Sequence, residues 1–398
     1  MNAPAAAGDP IRRITIGAKS KSEATLPPQV EPINLYALNS PDGHAGAVLL
    51  DAGFYIPPEF QGVGRMPFPI NYKKVLENAL SEMEAGLQTH GYKGIDAFVF
   101  SHGHIDHMGI AIEFQKVFGG EFWTTKEEKQ LRLGPANRSV DMRGLLRANG
   151  FADGRLGKIL EMFPQPPENA GTGGAGAAGG WSGEEIPIPV SRVLEDDQVI
   201  GIGDERYRVC VVRGHSQGQA LLVNETRPGD YALHGADQVQ RNEPPTFLSI
   251  AGTNLGLAHY LNSMDSLFDR HPEYREIRRI YPSHARGVRL DRFEETSVGN
   301  LGEWWDLCRS QFVRQVERIL EMTSKGATRP LDIYEALYAE KLPAFEKMGL
   351  SGLFIQMFHF TRMMGRLDLL ETRGWDGAKI RRIEHQTEGG MRFLYERA

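Results

Sequence analysis

The segment SHGHIDHMG, residues 101–109, places three histidines and one aspartate within six consecutive positions. It comes at the end of residues 96–101, an apolar run of strand length, so a buried strand is predicted to lead directly into it. His102 and His104 are two positions apart and can point to the same side of an extended turn. Gly103 lets the chain turn tightly between the two imidazoles. The pattern indicates a metal site at the end of a strand.

Asp106 and His107 come where a helix would begin and can face a neighbouring ion. The alternative is a chance histidine-rich surface turn, which 12 histidines in 398 residues make improbable. Only two cysteines occur, Cys210 and Cys308, and each stands alone in its segment. A disulfide framework and a cysteine-rich zinc module are therefore excluded, and any metal must be held by imidazoles and carboxylates.

The length of 398 residues is sufficient for two or three domains with a sizeable core. The 45 basic and 51 acidic residues give a net charge of −6, which argues against a uniformly cationic nucleic-acid or membrane-surface protein. Residues 1–13 contain no apolar targeting segment, and no run of 18 apolar residues could span a bilayer. We therefore expect a soluble, cytoplasmic protein.

The periodicity of apolar residues predicts an α/β protein whose strands lead into chemistry-bearing loops. Strands are predicted at 33–38, 46–50, 96–101, 121–124, 190–194, 207–212, 220–223, 231–234 and 280–281. Helices are predicted at 72–91, 113–118 and 255–268. Residues 126–180 are interpreted as an insertion, helical at first and then a mobile Gly/Ala-rich loop at 171–180.

The last hundred residues follow a different pattern. Helices are predicted at 311–322, 331–339 and 353–370, followed by a hairpin at 379–396. This order resembles a winged-helix module. We expect an N-terminal extension at 1–31, a catalytic domain at 32–290, and a mostly helical, winged-helix-like domain at 291–398.

The His-x-His-x-Asp-His pattern at 102–107, in its strand–loop–helix context, resembles the signature of the metallo-β-lactamase superfamily. The resemblance covers roughly residues 32–290 and implies an αββα sandwich. It also implies three further metal ligands at the ends of later strands. Candidates stand at all three places, as His215 in RGHSQG, Asp237 in GAD and His284 in PSH.

Carried over position by position, the resemblance implies a dinuclear site of the glyoxalase II type. One metal ion would be held by His102, His104 and His215. The other would be held by Asp106, His107 and His284, with Asp237 bridging the two. Three neighbours depart from the family pattern, where Pro, Gly and Gly are usual: Gln217, Ala236 and Ser283.

Two residues are candidates for support behind the ligands. Asp51 resembles a family aspartate that hydrogen-bonds behind a ligand histidine, and an ordinary strand-end turn is the alternative. His234 lies three positions before Asp237 and could stand behind it. For both residues a purely structural role is the competing interpretation.

Arginines are concentrated around His284, and guanidinium groups suit phosphates or carboxylates. Arg286 and Arg289 are the candidates for seating an anionic substrate such as the phosphates of coenzyme A. The alternative is a solvated face paired with nearby acidic residues. The whole group consists of Arg275, Arg278, Arg279, Arg286, Arg289 and Arg292.

Two divalent ions about 3.5–4 Å apart lower the pKa of a shared water and supply a hydroxide nucleophile at neutral pH. The implied protein is thus a hydrolase, with zinc as the first choice of metal and iron or manganese as alternatives. Asp106 would also act catalytically by orienting the hydroxide. The motifs contain no separate general acid, which favours a small thioester or ester, acyl-CoA-like first and lactone second.

Two other functions remain open at this stage: an endoribonuclease or phosphodiesterase of the same superfamily, and a di-iron redox or binding protein. Residues 360–398 carry eight basic and six acidic side chains, a weak footprint for nucleic acid. The tail would instead wall the active site, form a homodimer interface or pack on the main domain. Its apolar side chains are Leu353, Phe354, Met357, Phe358, Phe360, Met363 and Met364.

Overall fold

A computed structural model describes residues 12–23, 32–39, 46–56, 70–129, 132–133, 147–150, 157, 186–239, 255–284, 298–348, 350–387 and 390–398. Most of the 126–180 insertion, including the Gly/Ala-rich stretch, lies outside these ranges. So do Arg286 and Arg289. Within the described ranges, no helix combines the length and the apolarity that crossing a membrane requires.

The strands, in chain order, are β1 (Arg12–Ile16), β2 (Ile33–Asn39), β3 (Gly46–Leu50), β4 (Gly94–Val99), β5 (Glu121–Thr125), β6 (Arg132–Leu133), β7 (Ile186–Pro187), β8 (Val190–Leu194), β9 (Val199–Ile202), β10 (Glu205–Val212), β11 (Gln219–Asn224), β12 (Ala232–Ala236), β13 (Arg279–Pro282), β14 (Ile380–Thr387) and β15 (Gly390–Arg397). The helices are α1 (Ala18–Ser22), α2 (Tyr72–Thr89), α3 (Ile105–Met108), α4 (Ala111–Phe118), α5 (Leu257–Arg270), α6 (Leu301–Ser324), α7 (Pro330–Tyr338), α8 (Leu342–Lys347) and α9 (Leu350–Thr372), with a 3-10 turn at Pro272–Glu276.

The first sheet has the strand order β1-β2-β3-β4-β5-β8. The pairs β3–β4, β4–β5 and β5–β8 are parallel, so their carboxyl ends meet at one edge. Helix α2 covers the outer face of this sheet, because its buried residues Val75, Ala79, Met83 and Leu87 recur every four positions. The side chain of Asn71 caps the helix by accepting a hydrogen bond from the amide of Lys74 at 3.1 Å.

The second sheet has the order β13-β12-β11-β10-β9, in which only the pair β12–β13 is parallel. Successive side chains of β10 point to opposite faces of the second sheet, so they belong to two different buried clusters. Tyr207 and Val209 belong to the buried cluster between the sheets, together with Val99 and Leu50 of the first sheet. Cys210 points to the other face, where helices cover the sheet. The layers are thus helix, sheet, sheet, helix, and the predicted αββα class is confirmed.

The C-terminal helices pack against α5 and the 3-10 turn, on the outer side of the second sheet. One buried cluster joins Cys210 of β10 and Tyr260 of α5 to Trp304 and Trp305 of α6. Phe360, Met363 and Met364 of α9 are buried in the same cluster. Packing on the main domain therefore accounts for the described part of the apolar tail, whereas the side chains of Leu353, Phe354, Met357 and Phe358 lie outside the description.

The C-terminal region is helical, as expected, and ends in the antiparallel hairpin β14–β15. The likeness of this region to a winged-helix module and the domain boundary near residue 290 stay predictions. One buried cluster contains residues from both sides of that position. The sequence analysis did not predict β1, β6, β7, β9, α1 or α8. All of these elements are short, at two to six residues, which is too few positions for either periodicity to stand out.

Candidate metal centre

The polar residues predicted as ligands come together at one edge of the sandwich. Strand β4 ends at Val99 and the chain continues into His102, and the amide of Phe100 extends the pairing by donating to Trp123 O at 2.9 Å. His104 has extended backbone angles and immediately precedes α3, which carries Asp106 and His107. The other segments follow β10, β12 and β13 and bring His215, Asp237 and His284.

Two groups of ligand atoms form, and within each group the atoms lie within 4.8 Å of one another. The first group consists of His102, His104, His215 and Asp237, and the second of Asp106, His107 and His284. In the first group the Nε2 atoms of His102 and His215 are 2.9 Å apart, and His104 lies against both rings with centroid distances of 4.4 Å. The structure therefore brings together all seven predicted ligands.

Asp237 lies between the two groups. Its Oδ2 is 3.3 Å from Nε2 of His215, on the side of the first group. Its Oδ1 is 3.4 Å from Nε2 of His107 and 3.6 Å from Nε2 of His284, on the side of the second. One carboxylate thus presents one oxygen to each group, which is the arrangement that a bridging ligand requires.

Exposure differs from one side of the cluster to the other. His102 and His107 are fully buried. By contrast, the side chain of Asp106 is 38% exposed and that of His284 is 14% exposed, with Nε2 of His284 3.2 Å from Oδ2 of Asp106. A substrate would therefore reach the cluster past Asp106 and His284.

Asp51 lies buried beneath the cluster and supports three of its segments. Its Oδ1 accepts the amide of Ser101 at 2.8 Å. Its Oδ2 accepts Nδ1–H of His107 at 2.9 Å and the hydroxyls of Ser101 and Ser283 at 3.1 and 3.0 Å. The bond to His107 leaves Nε2 of that ring facing the other ligands. The geometry is that of the predicted supporting aspartate.

Ser101 extends this support to the first group, since its Oγ lies 2.9 Å from Nδ1 of His102 while it donates to Asp51. Gln219 supports the segment of Asp237, because its side-chain oxygen accepts the amides of Asp237 at 3.2 Å and Gln238 at 3.0 Å. These polar residues were not singled out from the sequence. Each lies within two positions of a strand end, which is the one signal that could have drawn attention to them.

Burial lowers the pKa of His102, His107 and His284, whereas neighbouring carboxylates raise it, and the balance differs from one histidine to the next. Burial and the neighbouring imidazoles hold the pKa of His102 well below its ordinary value, so the ring is neutral. Burial also opposes charging of His107, but Asp237 and Asp51 outweigh it and raise its pKa well above the ordinary value. The pKa of His284 is raised in the same way by Asp237 and Asp106.

The pKa values of the two ligand carboxylates are lowered. Burial alone would favour their neutral forms, yet His107 and His284 lower the pKa of Asp237 well below its ordinary value. The pKa of Asp106 is lowered as well, chiefly by its hydrogen bond with His284 against the opposing effect of burial. Both side chains are therefore ionised at neutral pH, as oxygen ligands must be.

The residues fit a pair of divalent cations. Nε2 of His107 and Oδ1 of Asp237 are buried, and neither has a hydrogen-bond partner in the described part of the chain. Such buried atoms are costly unless something satisfies them, and a shared cation would do so. Imidazole nitrogens and carboxylate oxygens are the donors that zinc, iron and manganese accept.

His234 lies in the core beneath the ligands rather than among them. Its ring meets Tyr36 edge-on at 5.4 Å, and burial lowers its pKa to about 4. Asp51 and Asp237 act electrostatically on it, which places it close behind the cluster. Two of the nearby arginines are engaged elsewhere: Arg275 with Asp306 at 2.6 Å, and Arg279 with the main-chain oxygen of Asp230 at 2.8 Å.

The backbone at two ligand segments adopts left-handed angles. Gly214, directly before His215, has φ +114°, and a β carbon there would lie 2.6 Å from Cβ of Tyr260. Ala236, directly before Asp237, has φ 41°. This explains why glycine suits the position before the aspartate, and alanine there carries backbone strain.

Comparison with known proteins agrees with this fold and cluster. The family model of the metallo-β-lactamase superfamily matches residues 90–274. A metallo-β-lactamase superfamily domain is thus matched over these residues, and the described part of the chain carries a potential metal-binding His/Asp cluster. No curated protein matches the sequence.

Two solved structures share the fold over nearly the whole chain. One is a β-lactamase domain protein from Burkholderia ambifaria, with a TM-score of 0.57 and 16% identity, covering 99% of this chain and 93% of that chain. The other is a metallo-β-lactamase family protein from Thermus thermophilus, with a TM-score of 0.59 and 17% identity, covering 98% of this chain and 99% of that chain. At these identities the likeness shows the fold alone.

Proposed function

We propose that the protein is a dinuclear metal hydrolase that cleaves a small anionic thioester or ester, acyl-CoA-like first and lactone second. The observation that carries the proposal is the position of Asp237, whose two oxygens face two separate groups of ligand atoms. His102, His104 and His215 would hold one ion and Asp106, His107 and His284 the other. Zinc is the proposed metal, and the same donors also suit iron and manganese.

Two such ions, when bound, lower the pKa of water and withdraw electrons from a carbonyl oxygen. The protein's own contribution is to hold the ligands in place before the substrate arrives. Asp51 fixes the ring of His107 through Nδ1, and Ser101 does the same for His102. Asp106, on the exposed side of the cluster, is placed to accept a hydrogen bond from the attacking water.

The choice of a thioester follows from the protonation chemistry around the cluster. Among the described residues, the carboxylates and imidazoles near the cluster belong to the two ligand groups, are buried behind them, as Asp51 and Glu128 are, or, like Glu127, are paired with an arginine. A separate acid that could protonate the departing group is not found among them. Thiolates, with an ordinary pKa near 8.5, depart without such an acid, whereas alkoxides do not.

The test is thiol release from a panel of acyl-CoA and acyl-glutathione thioesters by zinc-loaded protein, followed with a thiol-reactive dye. Asp106→Ala serves as the control for adventitious hydrolysis, and Asp230→Ala, which alters an exposed carboxylate far from the cluster, serves as the matched control. We expect turnover by the wild-type protein and Asp230→Ala, and at least a hundredfold loss in Asp106→Ala.

Equal rates in all three proteins would show that the cluster is not responsible for the turnover. No thiol release from protein that binds two equivalents of metal would overturn the thioester. Lactones and carboxylic esters, and then RNA, would be assayed next on the same preparation. Failure to bind metal would overturn the proposed function as a whole.

A further inference from the structure

The turn at residues 125–128 lies beside the two loops that carry the three histidines of the first group, and we call it the brace. Thr125 Oγ1 donates to the carbonyl of Gly218 at 2.6 Å. Glu127 pairs with Arg213 at 2.8 Å. These contacts dock the brace on residues 213–218, the loop that contains His215.

Glu128 is the buried member of the brace. Only 8% of its surface is exposed, and its Oε1 accepts the amide of Gly218 at 3.0 Å. Burial raises the pKa of this carboxyl, and the amide of Gly103 and the hydroxyl of Ser216 lie close enough to counter part of that shift. Gly103 lies between His102 and His104, and Ser216 follows His215. One side chain therefore lies beside the two loops that carry the three histidines of the first group.

The brace and the loop at residues 213–218 are in close contact at Gly218. A β carbon on Gly218 would lie 2.4 Å from Cβ of Glu127, so this glycine is required for the brace to dock. Burying a carboxylate costs free energy, and the hydrogen bond from Gly218 offsets only part of this cost, because the pKa of Glu128 is still raised by burial. A buried carboxylate at this place is therefore of interest as a residue that holds two ligand-bearing loops.

We propose that Glu128 is a positioning residue that sets the metal affinity of the position formed by His102, His104 and His215. The proposal rests on the proposed function, because it assumes that this position binds a metal. Glu128 contacts neither the segment of Asp106 and His107 nor that of His284, as far as the described residues show. Its effect should therefore be confined to one of the two positions.

The experiment isolates each position with a ligand variant. In a His284→Ala background only the first position keeps its full ligand set, and in a His215→Ala background only the second does. Glu128→Ala and Glu128→Gln are added to each background, and Zn²⁺ affinity is measured by competition with a chromophoric chelator. Circular dichroism and thermal melting confirm that each variant is folded.

Glu82→Ala is the matched control. Its carboxylate also accepts two backbone amides, from Gly17 at 2.7 Å and Lys19 at 2.6 Å, but it lies on α2 away from the cluster. Loss of Glu82 should lower stability without changing the affinity of either metal position. The control thus separates general destabilisation from a local effect on the ligands.

In the His284→Ala background we expect Glu128→Ala to weaken Zn²⁺ binding about tenfold or more, as loss of support behind ligands does elsewhere. Glu128→Gln should restore most of the affinity, because its amide oxygen can still accept from Gly218. In the His215→Ala background the change should stay below about threefold. Equal losses in both backgrounds, no loss in either, no rescue by glutamine, or the same loss from Glu82→Ala would each overturn the inference. If the wild-type protein binds no metal, the proposed function itself fails, which is a distinct outcome.

Discussion

Asp51 and His107 are joined by a hydrogen bond of 2.9 Å between Oδ2 and Nδ1, although 56 positions separate them in the chain. Asp51 follows β3, and His107 lies on the short helix after β4, so the bond ties the ends of two adjacent parallel strands. The charge and hydrogen bond of His107 outweigh the effect of burial and lower the pKa of Asp51. The aspartate is therefore an ionised acceptor that fixes which nitrogen of His107 faces the cluster.

Replacing this carboxylate should weaken metal binding and the fold together. We expect Asp51→Ala to lower metal affinity about 10- to 100-fold, more strongly at the position of His107, which Asp51 contacts directly, than at that of His102, which it reaches through Ser101. The free energy of unfolding should fall by roughly 3 kcal/mol, because His107, Ser101 and Ser283 lose a buried partner. Chelator competition and urea unfolding measure the two effects. Unchanged affinity would contradict the supporting role.

Asp237 tests whether the two positions are linked. Because its oxygens face both groups, Asp237→Ala should lower affinity at both positions, and bound metal and activity should be lost together. The comparison is His284→Ala, in which only one equivalent of metal should be lost. Metal content measured by mass spectrometry after dialysis distinguishes the two variants. Full metal content and full rate in Asp237→Ala would rule out a bridging carboxylate.

The sequence was sufficient to predict those candidate ligands that are close to one another in the chain. Strand β4 and residues 102–107 are adjacent in the chain, so one pattern predicted both the strand end and four ligands. The strand-end positions of His215, Asp237 and His284 were recognisable because the family pattern supplied their order. The alternation of strands with helices such as α2 indicated an α/β protein, and the family resemblance implied the αββα layers.

The supporting residues could not be predicted in this way. Glu128 is joined to Gly218 across 90 positions, and Ser283 to Asp51 across 232, so their roles exist only in the folded chain. Glu128 has no distinctive neighbour in sequence, whereas Ser283 directly precedes the predicted ligand His284. Ser283 stands where the family usually has glycine, and its hydroxyl adds a donor to Asp51. The departure thus has a structural reason that the sequence alone did not reveal.

The protonation of the ligands predicts how metal binding depends on pH. The pKa values of His107 and His284 are raised above 6.5, so these rings hold protons that a cation must displace. Metal affinity should therefore fall as the pH is lowered, and zinc binding near neutral pH should release protons. In chelator-treated protein the stability of the fold should change with pH in the opposite direction to the metal affinity. Pairing of these rings with carboxylates stabilises the fold fully below about pH 6.5, and this stability is lost as the pH rises through the raised pKa values.

Melting of chelated protein between about pH 6 and pH 8.5 checks this second effect, and the melting temperature should fall across that range. Zinc-loaded protein should not show the same fall, because the metal keeps the rings neutral throughout. Proton release on zinc addition is read with an indicator dye in weak buffer. Flat melting temperatures together with no proton release would contradict the assigned protonation.

The glycine before His215 should be irreplaceable. Gly214→Ala places a carbon 2.6 Å from Cβ of Tyr260 and 2.7 Å from its backbone, and it also strains a backbone at φ +114°. We expect a loss of at least about 2 kcal/mol in the free energy of unfolding and displacement of His215. Gly201→Ala is the matched control, since a β carbon there meets no atom within 4 Å. Its effect should stay within about 0.5 kcal/mol. Equal effects of the two substitutions in urea unfolding would contradict the prediction.

The C-terminal helices and the sandwich should unfold as one unit. Trp305 of α6 packs against Tyr260 and Phe268 of α5, and its Nε1 donates to Asp265 at 3.2 Å. Tyr260 in turn donates its hydroxyl to the carbonyl of Gln238 at 2.8 Å, beside Asp237. Packing of the tail is therefore connected through α5 to the segment that carries Asp237.

Trp305→Ala should lower the free energy of unfolding by about 3–5 kcal/mol, and removal of residues 298–398 should give insoluble protein because the apolar side chains of α5 that contact the tail become exposed. Leu307→Ala, on the same helix but 41% exposed, should change stability little. Release of bound zinc and loss of helical circular dichroism should follow one common transition in the full chain. A soluble, metal-binding fragment ending near residue 290 would instead show that the tail is an independent domain, as the change of pattern in the sequence first predicted.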